Sequence, residues 1–352
     1  MHSLDIRYLK GLRFSVDQVS TLKKIGEYKG KQDLFTRQAP EILESLKQVA
    51  IIESSESSNR LEGIIAPYHR IEALVNKSTN PLNRPEQEIA GYRDALNLIH
   101  ESWEHMPFST NVILQLHAMV YRYLPTDGGR WKNNDNEIIE KNSDGTIKRI
   151  RFKPVPALAT PQSMEALVKN YGEALDVHGQ ENLVVIPAAI FDFLCVHPFS
   201  DGNGRVARLL TLLLLYRFDY RVGRYISLER IFEESSKSYY ETLEKSSKNW
   251  HQGKHDIQPW MDYFWGVLLR GYGEFEERVG TIRSGKGSKT FQIRKAVGHR
   301  IKPFAISDIE ADCPGTSRDM IRLVLRQLRD AGVISSSGKG RGAKWIRKQM
   351  PS

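Results

Sequence analysis

Cysteine is scarce: Cys195 and Cys313 are the only two in 352 residues, which allows at most one disulfide and leaves no CxxC pair for a zinc or redox site. Both are expected to pack as small buried apolar side chains. Long hydrophobic runs are also missing. The apolar run Leu209 to Tyr216 is interrupted by Thr211 and falls well short of the ~20 residues that cross a bilayer as a helix. The opening residues Met1-His2-Ser3-Leu4-Asp5-Ile6-Arg7 contain no continuous apolar stretch resembling a secretory leader, so a cytoplasmic protein without a membrane span is the expectation. Neither GxSxG nor HExxH occurs, and no internal repeat is visible. Residues Gly280 to Lys286 imitate a phosphate-binding P-loop, but Gly287 stands where the metal-binding hydroxyl belongs and no strand pattern precedes it. Negative charge is lacking in one region only. Residues 281–352 hold sixteen Lys and Arg against five Asp and Glu, whereas residues 1–280 hold 35 against 37. Such asymmetry points to one module that meets a polyanion and another with a different task.

What is present is an ordinary globular mix, 40% hydrophobic and 26% charged, with helical periodicity almost throughout. Val19, Leu22 and Ile25, then Ile42, Leu43, Leu46 and Val49, predict helices between Asp17 and Ala50, continuing from Glu53 to a C-cap at Gly63. Further helices are predicted over about 66–76, 85–105, 109–123 with Ser109 as N-cap, 161–176, 183–196, 204–218, 227–248 and 256–279. Between Pro125 and Pro156 the pattern breaks. There Asp144-Gly145 separates Ile138-Ile139 from Ile147 to Phe152, a strong hairpin signal, and a small β-flap is expected. Glycine and serine between Gly280 and Ser288 mark a predicted linker.

The densest chemistry lies in His197-Pro198-Phe199-Ser200-Asp201-Gly202-Asn203-Gly204-Arg205-Val206-Ala207-Arg208, between two apolar segments that read as buried helices. Pro198 biases His197 away from αR. Gly202 and Gly204 permit a backbone nest that leads into a helix N-terminus, a good anion site. Arg205 and Arg208, three apart, are suited to clamp phosphate oxygens. Asp201 at the rim offers hard oxygen ligands to Mg²⁺, and His197 is the one side chain of the loop able to take a proton near neutral pH. Together these describe a polyphosphate site with a general base.

This stretch resembles the Fic family signature H-x-F-x-(D/E)-G-N-G-R-x-x-R at every specified position, and the resemblance extends over roughly residues 50–250. It implies a mainly α fold: a Fic-type helical bundle with a small β-hairpin flap. The implied activity is transfer of AMP from ATP to a Ser, Thr or Tyr hydroxyl of a target protein. By family analogy His197 deprotonates the hydroxyl and Asp201 carries Mg²⁺. Gly202, Asn203, Gly204 and Arg205 hold the α- and β-phosphates, and Arg208 the γ-phosphate. The hairpin around 136–153 matches the flap that docks the target as an added strand. Tyr239 and Tyr240 resemble residues lining the adenine pocket. Ser58-Asn59-Arg60-Leu61-Glu62-Gly63 matches the inhibitory motif (S/T)-x-x-x-E-(G/N), whose glutamate pairs with the second signature arginine, here Arg208. Some members of the family use the same glutamate to remove AMP.

The implied organisation is an N-terminal helical region with the inhibitory helix (1–110), a catalytic core (111–280) and a C-terminal module (281–352). In that module the order of predicted elements resembles a winged helix-turn-helix: Phe291 to Val297, a short helix from Ile306, Met320 to Leu328 capped by Ser317 and ended by Gly332, then Val333-Ile334 and Lys344 to Ile346 around a basic Gly338 to Gly342 tip. Arg318, Arg322, Arg326 and Arg329, with Lys339, Arg341 and Lys344, form a candidate phosphate-contacting surface. Winged helices also serve as docking or dimerisation modules, so DNA, a protein partner and a second copy of this chain stay open. Two other readings compete for the body: a related transfer of phosphocholine, UMP or phosphate, and a DNA-binding regulator that only senses ATP.

Overall fold

The computed structural model describes residues 2–38, 40–141, 146–283, 286–298, 300, 303–313, 315–330, 332–337 and 344–347. The chain divides into two compact units, Met1–Phe275 and Glu276–Ser352. In chain order the first holds α1 (Ile6–Gly11), α2 (Val16–Gln38), α3 (Pro40–Arg60), α4 (Tyr68–Val75), α5 (Arg84–Ser102) and α6 (Thr110–Val120), then the strands β1 (Ile138–Lys141) and β2 (Ile147–Phe152). It continues with α7 (Thr160–Gly172), α8 (Asn182–Val196), α9 (Asn203–Arg217), α10 (Leu228–Glu234), α11 (Ser236–Ser247) and α12 (Gln258–Arg283), the last of which runs on into the second unit.

The centre is the α8–α9 hairpin. All of Leu183 to Val196 is buried, as are Val206, Leu209, Leu210 and Leu212 to Leu215. A helix apolar all round belongs in a core rather than on a surface, and α3, α5, α6 and α7 pack around the pair. Pro187 lies inside α8, where its missing N–H deprives the Leu183 carbonyl of a partner. The Trp265 indole N–H donates to that carbonyl at 2.8 Å, so the helix continues without an unsatisfied group. Helix α3 enters the core with a different chemistry: Ser54, Ser55, Ser57, Ser58 and Asn59 are buried. Its serines are small enough to let neighbours approach and polar enough to anchor them. Ser54 Oγ donates to the buried Glu229 carboxylate at 2.7 Å, and the Tyr92 hydroxyl donates to the same group at 2.9 Å.

Ser109 caps α6 as predicted, accepting from the Val112 N–H at 3.3 Å. Helix α3 runs to Arg60 and is closed by the expected glycine cap at Gly63, whose N–H donates to the Arg60 carbonyl at 2.9 Å. The Glu62 and Ile64 N–H groups both turn back to the Asn59 carbonyl at 3.0 Å, and Gly63 follows with φ 76°. The expected flap is present as the antiparallel β1–β2 pair, with two register irregularities; the Asp144-Gly145 turn lies outside the described residues. Arg149 makes a two-pronged ion pair with Glu244 at 2.6 and 2.9 Å, tying β2 to α11. The predicted linker is largely helical instead: α12 extends to Arg283 and α13 (Lys286–Gly298) begins three residues later, with Ser284 and Gly285 outside the described residues. Glycine in a helix costs only about 1 kcal/mol against alanine, and no proline is present there to stop it.

The second unit continues with α14 (Ile306–Asp312), α15 (Arg318–Asp330) and the antiparallel strands β3 (Ile334–Ser337) and β4 (Lys344–Arg347). Ile293, Val297, Phe304, Ile309, Ile321, Val324, Leu325, Leu328, Ile334 and Trp345 form its core. Phe304 and Trp345 exchange both backbone hydrogen bonds at 2.8 and 2.9 Å. The Gly338 to Gly342 tip, with Lys339 and Arg341, lies outside the described residues. Cys195 and Cys313 are free and buried. Among the described residues no helix is long and apolar enough to cross a membrane.

Candidate active site

His197 ends α8 in the left-handed region, φ 51° and ψ 60°, a conformation that costs a non-glycine residue about 1–2 kcal/mol. The following Pro198 disfavours αR, and a clamp behind the loop holds the alternative in place. The Lys132 N–H donates to the Pro198 carbonyl at 2.8 Å, and the Lys132 ammonium donates to Val196 O at 3.2 Å and Asn136 Oδ1 at 2.8 Å. Burial lowers the Lys132 pKa to about 8. The loop's own staple is Asn203, whose side chain accepts from the Phe199 N–H at 2.9 Å and donates to the Phe199 carbonyl at 2.8 Å. Phe199 stacks on His117 with ring centroids 3.8 Å apart. His117 Nδ1 accepts from the Gly129 N–H at 2.8 Å, which leaves its protonated Nε2 to donate to the Asp201 carbonyl at 3.1 Å. Gly202 then turns with φ 80° into the N-terminus of α9.

His197 opens onto a cavity of about 460 Å³ whose walls include Phe191, Leu194, Cys195, Gly204, Arg208, Glu62, Tyr239, Tyr240 and, from the flap, Ile138 and Ile139. Its Nδ1 donates to the Leu194 carbonyl at 3.3 Å. Because a carbonyl only accepts, Nδ1 carries the proton and Nε2 keeps its lone pair. Burial lowers the His197 pKa to about 4, so that lone pair is available at neutral pH. Tyr240 is partly exposed and its hydroxyl donates to Leu61 O at 3.3 Å, whereas Tyr239 is buried edge-on against it.

At the other end of the cavity the Arg208 guanidinium donates from Nη2 to Glu62 Oε1 at 2.7 Å and to Ser58 O at 2.8 Å, and from Nε to Ser58 Oγ at 2.8 Å. Burial opposes its charge, but Glu62 beside it outweighs that and raises its pKa. Arg208 Nη1 is buried and has no hydrogen-bond partner among the described residues. Glu62 Oε1 lies so close to Gly204 that a Cβ there would collide with it. The carboxylate therefore rests on the first turn of α9, where unpaired N–H groups and the positive end of the helix dipole favour an anion.

Of the residues singled out from the sequence, His197, Gly204, Arg208, Glu62 and Tyr240 line one cavity. Asn203 and Arg205 face elsewhere. Arg205 is buried behind the loop, donating to Glu88 at 2.6 Å and lying against the Tyr121 ring. The arginines therefore do not converge through their side chains; one supports the loop and the other reaches the cavity. Asp201 stands at the rim, its carboxylate 64% exposed and 3.8 Å from Arg205, with Oδ1 accepting from the Gly202 N–H at 2.7 Å. Burial tends to raise its pKa, but Arg205 and that N–H lower it overall. Among the described residues no three His, Cys, Asp or Glu side chains converge on a point. The exposed Asp201 carboxylate is itself the kind of hard oxygen ligand that suits Mg²⁺ beside substrate phosphates. Lys132, Asn136, His117, Tyr121 and Glu88 escaped sequence reasoning, since nothing local marks them as partners of the loop.

The match to a family model spans residues 107–215 and is to the Fic/DOC family. Residues 107–215 form a Fic domain. The protein adenylyltransferase fic-1 of Caenorhabditis elegans is 30% identical over an alignment of 144 residues that covers 38% of this chain and 25% of that protein. The match thus spans about a quarter of the curated relative. Among solved structures, a Fic family protein from Desulfovibrio desulfuricans superposes with TM-score 0.62 at 17% identity, covering 97% of this chain and 98% of its own. A fragment of C. elegans Fic-1 gives 0.57 at 18% identity, covering 76% of this chain and 74% of that one. At these identities the structural likeness is one of fold. The matched residues contain the whole loop from His197 to Arg208.

Proposed function

We propose that the chain is a protein adenylyltransferase that moves AMP from ATP to a Ser, Thr or Tyr hydroxyl of a target protein and is restrained by its own Glu62. The observation that carries this is a single cavity with a neutral imidazole at one end, Arg208 and the α9 N-terminus at the other, and a carboxylate resting where phosphate would bind. In this reading His197 Nε2 takes the hydroxyl proton as the oxygen attacks the α-phosphorus. The bond from that phosphorus to the bridging oxygen breaks, and pyrophosphate leaves. The α9 N–H groups and Arg208 hold the chain of phosphates in line, which supplies most of the rate enhancement through positioning and electrostatics. Asp201 would hold Mg²⁺, whose contribution is to offset charge on the polyphosphate. Tyr239 and Tyr240 flank the base, and the flap at 136–153 receives the target as an added strand.

Glu62 restrains transfer by occupying Arg208 and the helix terminus, so ATP must displace a carboxylate to bind productively. Support comes from the 2.7 Å contact and from the close approach that only a glycine at 204 allows. The test is intact-mass analysis of wild type, E62G and E62G/H197A after incubation with ATP and Mg²⁺, alone and with cell extract. An AMP-sized addition to this protein or to an extract protein is expected to rise in E62G. It should fall by ~10²–10⁴-fold in the double variant, the contribution of a general base. Tight ATP binding with no addition in any sample would overturn the transferase reading and favour an ATP sensor. The three helices and terminal hairpin of the second unit support a winged-helix reading of that module.

A further inference from the structure

A second cavity, of about 440 Å³, adjoins the active one and shares Arg151, Phe152, Glu244 and Ser247 with it. The transfer chemistry leaves it without a task. Four cations line it, Arg149, Arg151, Lys153 and Lys248, against the single acid Glu244. Arg149 and Arg151 in β2 and Lys153 just after it stand at alternate positions, which project to one face of a strand. His251 fixes this wall: its Nε2 donates to the Lys153 carbonyl at 2.7 Å, and its ring stacks on Phe152 with centroids 5.3 Å apart. The carboxylates already bound there indicate what the cations accept. Glu244 takes both prongs of Arg149, and Glu140 on β1 accepts from Lys148, Arg149 and Arg151 at 2.8, 2.8 and 3.1 Å, which holds its pKa down at about 2. Lys153 reaches Glu137 at 3.4 Å between exposed side chains. Lys248 has no carboxylate partner among the described residues. Positive charge is therefore in excess, and exposed ion pairs of this kind exchange readily.

We propose that this groove is a subsite for acidic side chains of the target, receiving Asp or Glu residues that flank the hydroxyl brought to His197. That the occupant is a substrate rests on the transferase reading above; that it is acidic rests on the groove alone. Backbone pairing along the flap supplies affinity without reading side chains, whereas a side-chain groove supplies selectivity. Acids at alternate positions of an extended segment repeat every ~7 Å, the same spacing as Arg149, Arg151 and Lys153. A single-stranded nucleic acid is the poorer fit, because it needs open aromatic faces on which bases stack. Here Phe152 is stacked on His251 and Trp250 is buried.

The test is fluorescence anisotropy of the full chain at 50 mM KCl with labelled peptides that carry a central Ser flanked at alternate positions by Glu, Gln or Lys. The Glu peptide is expected to bind about tenfold more tightly than the Gln peptide, and the Lys peptide more weakly still. K153E/K248E, at exposed positions, should weaken the Glu peptide about tenfold and strengthen the Lys peptide. R322E/R326E makes the same charge change at exposed positions of α15 and should alter neither, which separates the groove from capture by the basic second unit. Circular dichroism confirms that both variants remain helical. The proposal is overturned by equal affinity for the Glu and Gln peptides, by absence of Glu-peptide binding, by equal effects of the two variants, or by tighter competition from a single-stranded oligonucleotide of equal charge. In E62G with ATP and Mg²⁺ the Glu peptide should gain AMP faster than the Gln peptide, and equal rates would also overturn it. Selective binding with no addition to any peptide would instead overturn the transferase reading, and with it the occupant's role as substrate, while the acidic groove stands.

Discussion

The proposed general base, His197, must be neutral when the hydroxyl arrives, and burial rather than a charged neighbour lowers its pKa. Desolvation lowers its pKa to about 4, so the imidazole loses its lone pair to protonation only as pH falls through that value. Had it stayed near 6.5, only about 3% would be unprotonated at pH 5. We expect imidazole NMR of ¹³C-labelled protein, with H197A used for assignment, to give a titration midpoint near 4. A midpoint near 6.5 would remove the structural reason for treating His197 as a base that works in mild acid. Arg208 follows the opposite logic. It keeps its charge whatever the pH, so what varies at the far end of the cavity is its partner, and the Glu62 carboxylate holds that place in this structure.

The loop between α8 and α9 is held by contacts from other elements, and Lys132 is the clearest case. A single side chain closes the C-terminal end of α8 through Val196 O and fixes Asn136, which in turn donates to Phe199 O at 3.0 Å. Replacing it with the apolar isostere in K132M leaves those buried acceptors unpaired, a cost of roughly 1–3 kcal/mol. It also relaxes the strained backbone of His197. In the E62G background we expect transfer to fall about tenfold with KM for ATP little changed, and the melting temperature to drop. Unaltered transfer would mean that the loop holds its shape without this clamp. This dependence also explains what could be read in advance. The cavity residues of the loop lie within twelve consecutive positions and Glu62 in a short motif, so residue types alone brought them forward. Glu88 and Arg205 are 117 residues apart, Lys132 and Val196 64 apart, His117 and Asp201 84 apart. Only packing brings such pairs together. The helices were legible because their apolar periodicity is strong; the expected linker failed because its glycines lie in a stretch with no residue that forbids a helix.

Across the whole first unit, buried imidazoles make acid the predictable route to unfolding. Burial lowers the pKa of His100 to about 3 and those of His117, His197 and His255 to about 4. The unfolded chain takes up these protons near pH 6.5 while the native state does not, so stability is complete above 6.5 and declines as pH falls below it. The buried carboxylates of Asp192 and Glu229 act in the other direction: burial raises their pKa, so the native state accepts their protons more readily and part of the loss is offset. His100, 2% exposed and 3.2 Å from the Tyr216 hydroxyl, isolates one contribution. Between pH 7 and pH 5 it alone should remove about 2 kcal/mol, since each pH unit below 6.5 is worth ~1.4 kcal/mol per proton. Urea unfolding at the two pH values therefore should show a smaller loss in H100Q than in wild type by about that amount, whatever the variant's stability at pH 7. Equal losses in the two proteins would mean that His100 takes up its proton in the folded state, and the apolar packing around it would have to admit water to allow that.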